Sequence, residues 1–137
     1  MTSSAGYSGT PLWQKLGLKP GQRLLLLDAP KDFDQLLVGA PAGVVHITRV
    51  SAFDAAILFA TTIRAQETNL ARALPRFGSG GMLWLAWPKK ASGVITDLTD
   101  ETVRRMGLAA GLVDIKVCAI DETWSALKFV HRHGRTL

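Results

Sequence analysis

The 137-residue chain is expected to fold as an α/β domain with a mostly parallel sheet, flanking helices and a C-terminal antiparallel hairpin. Three observations predict this. Arg23 to Asp28 is a near-continuous apolar run of strand length, the pattern of a strand covered on both faces within a parallel sheet. Phe53 to Ala60, the amphipathic stretch from Thr62 to about Phe77, and the run Met82 to Trp87 follow one another as strand, helix and strand, which is a βαβ unit. Val113 to Ile120 and Ser125 to His131 are separated only by the polar turn Asp121-Glu122-Thr123, so they should pair as a hairpin.

The remaining elements follow from local signals. Pro11 to Gly17 reads as a short helix, with Thr10 as its cap, Pro11 in the first helical position and Gly17 as its stop. Lys19-Pro20-Gly21 is a turn into the first strand. Beyond that strand, Pro30 to Val38 carries Phe33, Leu36 and Leu37 at helical spacing, and the stretch 39–43 breaks it before a second strand, Val44 to Thr48. In the long segment Ile63, Leu70 and Leu74 share one face while Arg64, Glu67 and Arg72 point to water, and Pro75 closes the helix. Gly78-Ser79-Gly80-Gly81 is a flexible turn. Thr99 caps the next helix, Asp100 and Glu101 sit at the positive end of its dipole, Leu98 staples onto Val103, and Gly107 is the natural stop. In the hairpin, Val113, Ile115, Val117 and Ala119 alternate with Asp114, Lys116 and Cys118, which predicts a buried aliphatic face and a wetter one. There is no internal repeat or interdomain linker. One Rossmann-like domain is expected over residues 11–132, with an N-terminal arm (1–10) and a frayed tail (133–137).

Composition narrows the classes. With 47% hydrophobic and 20% charged residues the chain is globular, and no segment approaches the roughly 20 apolar residues of a membrane span. Met1 to Gly9 is small and polar without a basic or apolar signal region, so a cytoplasmic location is expected. Cys118 is the only cysteine, which excludes an intrachain disulfide and fits a buried, inert thiol. The net charge of +5 permits attraction to polyanions. The basic residues are spread over several elements, however, and no basic run interleaves with aromatics; this argues against nucleic acid as a partner without excluding it. His46, His131 and His133 lack the spacing to acidic or thiol partners that a metal site requires.

Ligands of such sheets collect where strand ends face a crevice, which directs attention to Asp28 to Lys31, Thr61-Thr62 and the segment Trp87-Pro88-Lys89-Lys90-Ala91-Ser92-Gly93. The last has the most chemistry. Lys89 and Lys90 supply cationic donors, Ser92 a hydroxyl, Gly93 an approachable backbone and Trp87 a flat face, a set suited to a phosphate or carboxylate. The same residues also read as a strand end followed by a solvated turn. Asp28 suits a general base or a ribose ligand, and equally a turn residue. Gly78 to Gly81 precedes a strand and lacks the Lys-Ser/Thr of a phosphate loop. Neither Ser8 nor Ser92 stands in a nucleophile elbow, so no catalytic residue is assigned. Tyr7 to Thr10 reads either as an arm packed over the crevice or a partner, or as disorder.

From Gln22 to Arg132 this organisation resembles, in abbreviated form, the class I S-adenosylmethionine-dependent methyltransferase fold. The resemblance implies a methyl donor at the C-terminal ends of the first strands, held by a glycine-rich loop after the first and an acidic residue at the end of the second. This chain has Asp28-Ala29-Pro30-Lys31 at the first place and Thr48-Arg49 at the other. The stretch between the second strand and Phe53 is too short for the usual helix, strand and helix. Nearly the whole chain is also similar to a family of short bacterial proteins with a domain of unknown function, through Gly6 to Leu12, Trp87 to Gly93 with Asp97-Leu98-Thr99, and Gly111 to Ala119. That similarity implies no activity and leaves the cofactor open. The leading expectation is a non-catalytic binding or regulatory domain for a small anionic or nucleotide-like ligand, with Asp28, Thr61, Trp87, Lys89, Lys90, Ser92 and Gly93 as binding residues. An edge strand or the hairpin is the expected surface of a homodimer. The alternatives are a degenerate methyltransferase and a basic polyanion binder.

Overall fold

The computed structural model describes residues 9–132; the ends of the expected arm and tail, 1–8 and 133–137, lie outside the described residues. A six-stranded sheet has the order β2-β1-β3-β4-β6-β5. Its strands are β1 (Arg23–Leu27), β2 (Val45–Ile47), β3 (Phe53–Phe59), β4 (Phe77–Pro88), β5 (Leu112–Ala119) and β6 (Trp124–His131). The first four pair in parallel, β6 joins β4 antiparallel, and β5 closes the hairpin at the edge. The βαβ unit and the C-terminal hairpin are thus both present.

Helices α2 (Ile63–Ala73) and α3 (Asp100–Ala109) cover one face of the sheet. There Leu70, Ala73, Leu98 and Val103 pack with Leu25, Leu58, Leu85 and Phe129. The short α1 (Leu12–Leu16) and the Phe33–Leu37 turn cover part of the other face, where Leu16, Phe33 and Leu37 pack with Leu26, Ile57, Phe59 and Trp84. Both cores follow from the strand period: along β4, Leu83, Leu85 and Trp87 face the long helices while Met82, Trp84 and Ala86 face α1.

Several local expectations are corrected. Pro11, in an extended conformation, is itself the residue before the first helical one, so Thr10 is not the cap of α1. Pro30 to Val38 forms only a 3₁₀ turn over Phe33–Leu37, because Asp32 makes no capping bond and the apolar residues fit a single turn. The Gly78 to Gly81 run lies within β4, where it loops out of the ladder between the Phe53–Phe77 and Ala55–Met82 pairs. Gly107 does not stop α3; the helix runs to Ala109, and Gly111, with φ of 86°, makes the left-handed exit.

The hairpin's buried face is also shifted. Ile115 is 53% and Val117 49% exposed, whereas Cys118 is buried. A register shift between Asp114 and Lys116 re-aims the strand, and β5 lies at the sheet edge, where α3 reaches only its beginning. Arg104 Nε donates to Asp114 Oδ2 at 2.9 Å at that point. Burial raises the Cys118 thiol above its ordinary value, outweighing the lowering by nearby Lys15, Lys116 and Lys89. Iodoacetamide at mildly alkaline pH should therefore label Cys118 only when the chain is unfolded; rapid labelling of native protein, followed by mass spectrometry, would contradict this assignment.

Candidate functional site

The site begins with the sheet topology. From β1 the chain goes to β2 on one side, and then to β3 on the other, so the C-terminal ends of β1 and β3 diverge at a switch point. Asp28 immediately follows β1 with φ of 58°, the one non-glycine residue of positive φ among the described residues. Aspartate tolerates this conformation better than most residues, and here it allows a sharp turn directly after β1. The carboxylate is held: Asn69 Nδ2 donates to Asp28 Oδ2 at 3.0 Å and to the Phe59 carbonyl at 3.2 Å, bridging the switch point.

A crevice of about 420 Å³ opens beside this turn, lined by Leu26, Leu27, Asp28, Ala29, Pro30, Phe33, Asp34, Thr48 and Arg72. Asp34 also pairs with His46 Nδ1 at 3.3 Å. The crevice therefore offers carboxylates to accept from hydroxyl or ammonium groups, a threonine hydroxyl, a guanidinium for an anionic group, and an apolar floor. Arg72, read from the sequence as a solvated helix residue, was missed as a site residue, as was Thr48. A signal for Asn69 and its neighbour was available: Gln66, Asn69, Leu70 and Ala73 share the buried side of α2, so two amides interrupt an apolar stripe. Gln66 Nε2 donates to the carbonyls of Leu58 and Ala86 at 2.9 and 3.0 Å, while Oε1 is the one buried side-chain polar atom without a partner among the described residues.

The Trp87 to Gly93 segment lies at a second place. A pocket of about 530 Å³ is lined by Trp87, Pro88, Lys90, Gly93, Val94, Ile95, Thr96, Leu98, Thr99 and Asp100. Trp87 is only 6% exposed and belongs to the core, so it forms a wall rather than a free stacking face. Lys89 and Ser92 are not part of this lining. The Lys89 N–H donates to the Thr123 carbonyl at 2.7 Å. The Ser92 hydroxyl donates to the Lys89 carbonyl at 2.6 Å and accepts from the Val94 N–H at 3.1 Å. These bonds make a 3₁₀ turn that ends at Gly93, with φ of 80°. Thr61 lines neither cavity; its carbonyl accepts from Thr96 Oγ1 at 2.6 Å, and with the bond from the Ile63 N–H to Asp97 Oδ1 at 2.7 Å it ties the loop after the segment to the start of α2. The expected site residues thus fall into two separate cavities and one structural tie.

Among the described residues no group of three or more His, Cys, Asp or Glu is placed to hold a metal ion, and no helix is long and apolar enough to cross a membrane.

No family model matches the chain, and no curated protein does. Solved structures do. The chain is similar to the N-methyltransferase NodS from Bradyrhizobium japonicum at 10% identity and a TM-score of 0.55, over 88% of this chain and 93% of that one. It is also similar to magnesium protoporphyrin IX methyltransferase from Synechocystis with bound S-adenosylhomocysteine, at 8% identity and a TM-score of 0.57, over 82% and 75% of the two chains. With LepI in complex with S-adenosylmethionine the identity is 14% and the TM-score 0.52, over 88% of this chain but only 39% of the other. At these identities the likeness is one of fold: the chain has the Rossmann-like architecture of the S-adenosylmethionine-dependent methyltransferases.

Proposed function

We propose that the chain is a methyltransferase-like protein that binds an S-adenosylmethionine-type ligand in the crevice beside Asp28, a degenerate member of that group rather than a general anion-binding domain. Membership of the short bacterial family that shares the Trp87 to Gly93 segment belongs to the same proposal and adds no activity to it. One observation carries the reading: Asp28, in a left-handed conformation and gripped by Asn69, lines the crevice at the end of β1 together with Asp34, Thr48 and Arg72. The glycine of a donor loop is replaced by an aspartate that adopts a glycine-like conformation, and the missing carboxylate after β2 has substitutes in Asp28 and Asp34. These carboxylates suit ribose hydroxyls or an ammonium group, and Arg72 suits an amino-acid carboxylate. The ligand itself would supply a methyl sulfonium; the chain's residues bind and orient it.

Calorimetric titration with S-adenosylmethionine and S-adenosylhomocysteine tests this reading. Binding is expected, and Asp28→Ala and Arg72→Ala should each weaken it by roughly 10-fold or more, the cost of losing a hydrogen bond to a charged group. Absence of heat at millimolar ligand, with the variants behaving like the parent, removes the proposal. A second reading rests on the pocket beside Trp87, where Lys90 and the left-handed Gly93 border an otherwise largely apolar cavity. It takes a small anion, and inorganic phosphate binding that is lost in Lys90→Ala would favour it.

A further inference from the structure

The sheet face opposite α2 and α3 gathers lysines that are scattered in sequence. In the hairpin register Lys116 of β5 stands directly opposite Lys128 of β6, and Lys128 stands opposite Trp84 of β4 on its other side. Strand alternation puts Lys116 on the side of Cys118 and Lys128 on the side of Ala126, and both of those residues lie in the core beneath α1. The Lys128 ammonium lies 6.0 Å from the Trp84 ring centroid and beside Gly17, at the end of α1. Burial, and then the charges of Lys116 and Lys19, push Lys128 below the ordinary lysine value. Lys15, Lys116 and Lys89 likewise act together on Cys118.

Like charges directly opposite one another in an antiparallel pair destabilise it, and among the described residues no carboxylate pairs with either lysine. The described ion pairs join His46 to Asp34, Arg104 to Asp100 and Asp114, and Arg105 to Glu101. None reaches Lys19, Lys116 or Lys128 among the described residues. Lysine ammonium groups are compact point charges without the bidentate fork of arginine. The indole beside Lys128, that of Trp84, is buried and offers no face on which a base could stack. Such a patch complements a chain of phosphates and does not read bases. The lysine of an edge strand and the adjacent register shift also oppose pairing with a second copy through β5.

We propose that the face formed by Lys19, Lys116 and Lys128 binds the phosphate backbone of a nucleic acid without sequence preference, an activity separate from the ligand crevice at Asp28. Fluorescence anisotropy with a labelled single strand of about 20 nucleotides should show affinity falling with salt at a log–log slope of about −2, the value for three lysine contacts. Lys116→Glu removes one contact and draws Lys128 into an ion pair, so affinity at about 50 mM salt should fall roughly 50-fold. Thermal stability should rise in the same variant, because an opposite-charge pair replaces a repulsive one. Arg64→Glu, on the opposite layer, makes the same change in net charge and should leave affinity within about 3-fold of the parent. Equal loss in Arg64→Glu, unchanged binding in Lys116→Glu, or equally effective competition by polyglutamate of the same length would each overturn the proposal.

Discussion

Gly107→Ala is expected to destabilise the protein by about 1–3 kcal/mol, the cost of overpacking a filled core. At an exposed position in the middle of a helix the same change stabilises by about 1 kcal/mol, because alanine is the better helix former. The sign reverses here because a methyl group at Gly107 would overlap the Phe129 ring, which is fully buried in the core between α3 and the sheet. Urea unfolding checks this, and the double variant Gly107→Ala/Phe129→Leu makes the test specific. If the clash is the cause, the second change should restore at least about 1 kcal/mol relative to additivity, as residues in contact do. A Gly107→Ala protein at least as stable as the parent would mean that α3 does not pack this closely on β6.

That glycine shows where sequence reasoning stops. Its position near the end of an amphipathic stretch made it look like a helix stop, but a glycine that terminates a helix and one that admits a neighbouring ring look alike without the partner strand. The central strands were legible because burial on both faces leaves little besides apolar residues in Leu24 to Leu27 and Ala55 to Phe59. The cap of α3 was legible because Thr99 accepts from the Thr102 N–H at 3.1 Å in a purely local motif. The face of β5 was not, since one register shift near Ile115 reverses the alternation that the pattern assumes. The candidate site was half legible. Asp28 could be placed at a strand end, but its partners Asn69, Thr48 and Arg72 come from other elements and meet it only through the switch-point topology. The lysine patch was hidden for the same reason: Lys19, Lys116 and Lys128 share no run, and only the pairing of β5 with β6 sets two of them face to face.

The two amides of α2 connect the fold to the crevice. Gln66 and Asn69 are the only buried polar or charged residues among those described, and each caps carbonyls at the C-terminal ends of the strands. What the amides add is a set of polar groups fixed at the strand ends, with Asn69 holding the Asp28 carboxylate in place.

Trp84→Ala should have the largest effect, a loss of about 3–5 kcal/mol, a large share of the roughly 5–15 kcal/mol that holds a domain of this size together. Trp84 is 1% exposed at the centre of β4, between Ile57 of β3 and Lys128 of β6. Its indole Nε1–H donates to the Leu16 carbonyl at 3.3 Å. With five residues, α1 is far too short to persist alone, so its place on the sheet depends on Leu16, Leu18 and this anchor. Trp84→Phe separates the two contributions: it keeps an aromatic ring and removes the donor, and should cost about 1 kcal/mol for the hydrogen bond in addition to the lost volume. Chemical denaturation measures both. If the phenylalanine variant were as damaged as the alanine one, the hydrogen bond to α1 would outweigh packing; a loss below about 1 kcal/mol in Trp84→Ala would mean that the face beneath α1 is not a cooperative part of the core.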